Sequence, residues 1–239
     1  MEAAAAELAD RLGLHFADVG LLAQALVHSS YTNEQAQPAK SNDRLEFLGD
    51  AVVALVISED LFARHPDADE GELTTRRAAI VSARGLATAA IRLGLGDYVV
   101  LGHGASMAGE RARNSILAGA FEAVTGAVYT EQGLDGTRRW LLDVFTPELE
   151  ADLPVSELKA PKSRLQELAY AETGRPPHYK MLSAEGPQHD RLYEIEVSIG
   201  GRTLGRGTGR NRRDAETKAA EEALELLKQE AASATGGAG

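Results

Sequence analysis

The sequence predicts an all-α domain followed by a small α+β domain. Three observations predict it. Up to about residue 145, Ala, Leu and charged residues dominate, and apolar positions recur at spacings of three and four, the period of amphipathic helices. Residues 146 to 160 then break that period with two prolines. Beyond them, Leu192 to Ile199 alternates as a half-buried strand does, between two helical stretches. The charge divides at the same place: residues 158 to 229 hold 13 Lys+Arg against 11 Asp+Glu, and the rest of the chain holds 12 against 25. That asymmetry suggests two modules with different tasks.

Ala3 to Leu14 and Val19 to Val27 are predicted as short helices, and an acidic block at 42 to 50 opens a long helix to about Arg64. His65 to Gly71 reads as a loop, from its Pro, Gly and acids. Helices follow at Glu72 to Leu93, Ala112 to Gln132 and Gly136 to Phe145, with turns at Gly94 to Tyr98 and Gly102 to Gly104. Residues 147 to 159 are expected to be a linker between domains at 1–146 and 160–229. In the second domain Pro161 to Thr173 is an amphipathic helix with Pro at its favoured first position. Gly200-Gly201 joins Leu192–Ile199 to a second strand, Arg202 to Thr208, and Arg213 to Leu227 is a helix with Ala215, Ala219 and Ala223 on its inner face. The run Gly205-Arg206-Gly207-Thr208-Gly209 reads as strand-end turns, and residues 230 to 239 as a disordered tail.

The composition, 44% hydrophobic and 26% charged, is that of a soluble protein, and the longest apolar run is seven residues, 51 to 57, too short for a membrane span. Absence of cysteine excludes disulfides and thiolate metal sites, so a cytoplasmic protein is expected whose metals are held by oxygen or imidazole. The net charge of −11 argues against a nucleic-acid partner for the whole chain, but the second module, mildly basic with locally concentrated positive charge, escapes that argument.

The most informative stretch is Asn42-Asp43-Arg44-Leu45-Glu46-Phe47-Leu48-Gly49-Asp50. Asp43, Glu46 and Asp50 stand three and four residues apart, on one helical face, ahead of the all-apolar run Ala51 to Ile57. From the residues alone two readings stay open. The acids complement the dipole of a helix N-terminus, or they offset the cost of their own desolvation with a cation.

Asp43 to Asp50, with Asp69-Glu70-Gly71-Glu72-Leu73 and Ser115 to Ala123 in order after it, resembles the endonuclease domain of the ribonuclease III family. Residues 160 to 229 resemble a double-stranded RNA-binding domain, so the resemblance covers nearly the whole chain. It implies an all-α ribonuclease III endonuclease domain followed by an α-β-β-β-α domain. It also implies a homodimer through the endonuclease domain, with no membrane association. The implied activity is Mg²⁺-dependent cleavage of double-stranded RNA (ribosomal RNA precursors, structured messages) to 5′-phosphate products with 3′ overhangs. Mg²⁺ takes hard oxygen ligands and keeps waters, and Mn²⁺ is expected to substitute for it. A pair of ions about 4 Å apart can activate a water and stabilise the leaving oxygen. Glu46, Asp50 and Glu122 are the implied metal ligands, with Asp50 and Glu122 catalytic. Asp43 and Glu70 are secondary candidates, and His28 is expected to be a structural histidine.

One departure stands out. The family places a metal-ligating aspartate where this chain has Gly119, one turn before Glu122. A glycine inside a helix costs roughly 1 kcal/mol relative to alanine, so it is not there to strengthen the helix. Three readings compete: a water replaces the ligand, the protein is an impaired nuclease that mainly binds RNA, or the glycine is an introduced substitution.

In the second domain the resemblance points to RNA contacts at Lys162, Arg164, Gln166 and Glu167 on the first helix, and at Pro187 and His189 in the loop before Leu192. It adds Asn211, Arg212, Arg213 and Lys218 at the start of the last helix. A duplex of RNA hides its base edges, so recognition uses its shape, 2′-hydroxyls and phosphates. Cations at a helix N-terminus suit phosphates.

Overall fold

The computed structural model describes residues 1–35, 40–151, 153–187 and 191–236. They form two compact units, Met1–Leu153 and Pro154–Gly239.

The first unit is helical. Its elements are α1 (Glu2–Leu12), α2 (Val19–Ala25), α3 (Ser29–Thr32), α4 (Asp43–Arg64), α5 (Glu70–Val81), α6 (Ala83–Arg92), α7 (His103–Met107), α8 (Asn114–Val144) and α9 (Thr146–Glu150). Two 3₁₀ turns, Leu95–Asp97 and Glu110–Ala112, flank α7. Its one extended contact among the described residues is a bridge between Val27 and Val100. Helices α4 and α8 are the axis. Val53, Val56 and Ile57 of α4 pack in one core with Phe121, Val124 and Val128 of α8 and Leu86 of α6. Phe121 stacks on Trp140 at 5.7 Å and meets Phe145 edge-on at 5.4 Å, arrangements that the ring quadrupoles favour.

The expected helix from Glu72 to Leu93 is two helices. Ser82, in extended conformation, ends α5 and caps α6, its side chain accepting from the Gly85 N–H at 3.2 Å. The helices expected on either side of residue 133 join in α8, with Gly133 at φ 67° marking the kink between them. The run Ala51 to Ile57 is not buried all round: Val52, Val53, Val56 and Ile57 are buried, whereas Ala51 and Leu55 face outward. Nor is 147–159 without structure. It contains most of α9, whose Leu149 is buried in the first unit's core, and α10 (Val155–Leu158) in the second.

The second unit continues with α11 (Pro161–Thr173), β1 (His178–Glu185), β2 (Leu192–Ile199), β3 (Arg202–Gly209) and α12 (Arg212–Gly236). The strands form one antiparallel sheet of order β1-β2-β3. Leu165 and Ala169 of α11 meet Val197, Ile199, Leu204 and the Ala219, Ala220 and Ala223 stretch of α12 in its core. The glycine run expected at the strand end lies within β3, with Gly205, Gly207 and Gly209 paired to Val197, Ile195 and Tyr193. A Cβ at Gly207 would fall 2.2 Å from the Ala215 carbonyl oxygen and 2.3 Å from the Ala219 nitrogen. Glycine on the strand and alanine on the helix thus let the two backbones nearly touch. At the far end α12 continues through Gly236, past the expected start of a disordered tail, because Ala231, Ala232 and Ala234 are strong helix formers.

Candidate active site

The acidic block becomes the first turns of α4, and its entry is tied down. Asn42 N–H donates to the Val27 carbonyl at 2.8 Å, and the bridge at Val27–Val100 holds that strand-like segment in place. The crossing of α4 over α8 is unusually close for a reason visible in the side chains it lacks. A Cβ at Gly49 would sit 1.7 Å from the Glu122 carbonyl oxygen, and one at Gly126 would sit 2.2 Å from that of Leu45. These two glycines bring the acids of α4 against Glu122 of α8, although 72 residues separate Asp50 from Glu122. Sequence reasoning did not single them out, since their role exists only once two distant helices meet.

Asp43, Glu46, Asp50 and Glu122, with Phe47, line one open cavity of ≈ 390 Å³. Their charges oppose one another. Burial, then Asp50, then Glu46 push the Glu122 carboxyl up to about 7. Burial, Asp43 and Asp50 raise Glu46 as well, partly countered by His28. Among the described residues no Lys or Arg forms an ion pair with any of the four. Mutually repelling carboxylates, two of them (Glu46 and Glu122) half-buried and none paired with a Lys or Arg among the described residues, fit a hard cation, which takes such oxygen donors. No three acids or imidazoles among the described residues stand as a ready-made coordination shell. That does not conflict with the fit, because Mg²⁺ sites commonly use one or two carboxylates and complete the shell with water and substrate oxygens.

The other expected residues divide. Asp43 lines the cavity and accepts from the Ser41 hydroxyl at 2.8 Å. Glu70 does not line it. It sits exposed in the first turn of α5, behind the Asp69 cap, and accepts from Thr74 at 3.1 Å. His28 caps α3, its Nδ1 accepting from the Ser30 N–H at 3.1 Å, which is a structural placement.

Gly119 lies on the face of α8 that meets the block. A Cβ there would be 2.8 Å from Glu46 Oε2 and 3.0 Å from its carboxyl carbon. The Glu46 carboxylate therefore fills the space where a side chain at 119 would begin.

Residues 18–149 match the model for ribonuclease-III-like domains. The chain belongs to the ribonuclease III family. Residues 161–227 match the double-stranded RNA binding motif. The chain is 44% identical to Ribonuclease 3 of Bacillus velezensis over 224 residues, covering 93% of this chain and 90% of that one. It is 41% identical to Ribonuclease 3 of Myxococcus xanthus over 230 residues, covering 95% and 88%. Among solved structures, a nuclease domain of ribonuclease III from Campylobacter jejuni, described for flexibility in the region of its dimer formation, superposes with a TM-score of 0.55. It is 35% identical and covers 59% of this chain and 96% of that one. Ribonuclease III enzymes are metal-dependent, which agrees with the donor set of the acidic cavity.

In the segment that matches the double-stranded RNA binding motif, several expected contacts are already engaged. Lys162 pairs with Glu216 and lies 5.1 Å from the centre of the Tyr179 ring, and Glu167 pairs with Lys159 at 2.6 Å. The four expected residues of α11 do not share a face. By helical position Gln166 and Glu167 lie with Ser163 and Tyr170, all exposed, whereas Arg164 falls on another side. Asn211 is spent on the start of α12, its Oδ1 accepting from the Asp214 N–H at 2.9 Å, and Arg212 pairs with Glu216 at 2.9 Å. Arg213 and Lys218 are exposed and form no ion pair among the described residues. Pro187 is exposed between β1 and β2, and His189 lies outside the described residues.

Proposed function

We propose that this member of the ribonuclease III family is a Mg²⁺-dependent endonuclease of double-stranded RNA, yielding 5′-phosphate ends with 3′ overhangs. The observation that carries the proposal is the convergence of Glu46, Asp50 and Glu122, from two helices, on one cavity, with no Lys or Arg among the described residues paired to them. Glu46, Asp50 and Glu122 would hold the metal, with Asp50 and Glu122 closest to the chemistry. When bound, the ion supplies an activated water and charge stabilisation for the phosphoryl group. The protein's own contribution is positional. The Gly49 and Gly126 crossing fixes the acids, and the open mouth of the cavity admits a phosphodiester. Arg213 and Lys218 at α12, with the exposed face of α11, hold the duplex by its phosphates and 2′-hydroxyls.

A homodimer fits the same surface. Phe47, Ala51, Leu55 and Phe62 follow one stripe of α4 and all are exposed, Phe47 by 81% and Phe62 by 72%. Large apolar residues left in a row on a helix signal an interface. Because Phe47 also lines the acidic cavity, an isologous pairing along this stripe would set two cavities side by side, one for each strand of a duplex.

Gly119 favours one further reading, a protein that binds duplex RNA and cuts it poorly. Incubating purified protein with a long duplex at millimolar Mg²⁺ or Mn²⁺ separates the two. Endonuclease function predicts short 5′-phosphorylated duplexes, lost on Glu122→Ala. Retention of intact, bound duplex would establish the binding-only reading.

A further inference from the structure

Three glycines lie where α4 meets α8, and they are not equivalent. Gly49 and Gly126 face backbone atoms of the opposite helix, so any side chain there would force the helices apart. At Gly119 the three nearest atoms to an added Cβ are all the carboxylate of Glu46: Oε2 at 2.8 Å, the carboxyl carbon at 3.0 Å and Oε1 at 3.2 Å. The obstacle is the far end of a flexible side chain. Helix packing therefore does not demand glycine at 119, and what glycine does there is give Glu46 a seat. The Glu46 carboxylate rests against α8, half-buried, although the open cavity it lines offers it water.

We propose that residue 119 governs divalent-ion binding through Glu46: the absent Cβ lets the Glu46 carboxylate settle against α8, and this retracted position weakens the chain's hold on the ion. The inference rests on the metal-site reading above. It differs from a simple missing ligand, in which residue 119 matters only if its own side chain binds metal. Here Gly119 is a positioning residue, and a side chain with no ligating atom changes the site. A methyl group at 119 takes the α8 side of the space, so the carboxylate must shift, and the open cavity that Glu46 lines offers it room.

The test is a Mn²⁺ titration of the full-length protein, followed by electron paramagnetic resonance of the free ion. It compares the chain with Gly119→Ala, Gly119→Asp and Gly119→Ala combined with Glu46→Gln. Gly119→Ala is expected to tighten Mn²⁺ binding at least threefold, and Gly119→Asp further. The gain of the alanine variant is expected to vanish when Glu46→Gln is added. Unchanged or weaker binding by Gly119→Ala, beside tighter binding by Gly119→Asp, would overturn the inference and leave a missing ligand. A gain that survives Glu46→Gln would overturn it too. If neither the chain nor any variant binds Mn²⁺ at millimolar concentration, the metal-site reading fails and takes the inference with it. Glu46→Asp, too short to reach the seat, gives an independent arm: in that background Gly119→Ala is expected to have no effect on the binding constant, and a threefold effect there would again contradict the proposal.

Discussion

At the scale of single residues the site is governed by charge. Glu122, raised to about 7 from an ordinary 4.5, binds its proton more tightly in the folded protein than in the unfolded chain. Its contribution to stability is therefore complete at low pH and is lost as pH rises through about 7. The metal-free protein is expected to lose melting temperature between about pH 4.5 and 7 through this group. Mg²⁺ is expected to raise the melting temperature more at pH 8 than at pH 5.5, since at low pH it must displace protons from the same carboxylates. Calorimetry with and without Mg²⁺ checks both signs. In the RNA-binding unit, Glu216 neutralises Lys162 and Arg212 at once. Glu216→Gln releases both cations and is expected to tighten duplex binding several-fold, with a steeper dependence on salt by about one counterion or more. Fluorescence anisotropy over a salt series measures it. One part of this was legible in the sequence. The spacing of Asp43, Glu46 and Asp50 places them together without any fold in hand. The seating of Glu46 on Gly119 was not legible, because it depends on a contact across 73 residues.

At the scale of elements the site depends on how closely two helices cross. A methyl at Gly49 would collide with the Glu122 carbonyl at 1.7 Å, whereas one at Gly119 meets only a movable carboxylate. Gly49→Ala is expected to destabilise the protein by about 1–3 kcal/mol or more, as overpacking does, and to abolish the Mg²⁺-induced rise in melting temperature. Urea denaturation with and without Mg²⁺ reads both effects. Helices α4, α8 and α12 could be read from their apolar spacing because each buries one stripe or more. The corner between α5 and α6 could not, because the Ala, Leu and Arg spacing runs on across Ser82 and only the short Ser-Ala-Arg-Gly cap signals the break. Strand β1 is weakly patterned for a related reason: as an edge strand with a register shift between Met181 and Ser183, it leaves most of its side chains exposed. The glycines of β3 misled because strand propensity penalises them, whereas contact with α12 requires them.

At the scale of the whole molecule the chain divides its labour. The first unit carries most of the acidic charge, including the carboxylates of the cavity, and in the second Lys and Arg balance Asp and Glu. The composition changes near residue 150, and the chain passes from one compact unit to the other between Leu153 and Pro154. No helix among the described residues is long and apolar enough to cross a membrane. The exposed stripe on α4 was hidden in the sequence, since the run at 51 to 57 reads as core on every side and only packing shows which residues are left uncovered. Phe47→Glu is expected to convert a dimer into a monomer in light scattering after size-exclusion chromatography, while the circular dichroism of the helices is retained.

The most direct measurement of the central claim follows one long, uniform RNA duplex exposed to the full-length protein and to its Glu46→Gln variant across Mg²⁺ concentration, with duplex binding recorded in parallel. Mg²⁺-dependent cleavage of the duplex is expected from the chain and little or none from the variant, with binding nearly equal for the two. Equal cleavage by both proteins, or a bound duplex left intact by the chain at every Mg²⁺ and Mn²⁺ concentration, would contradict it.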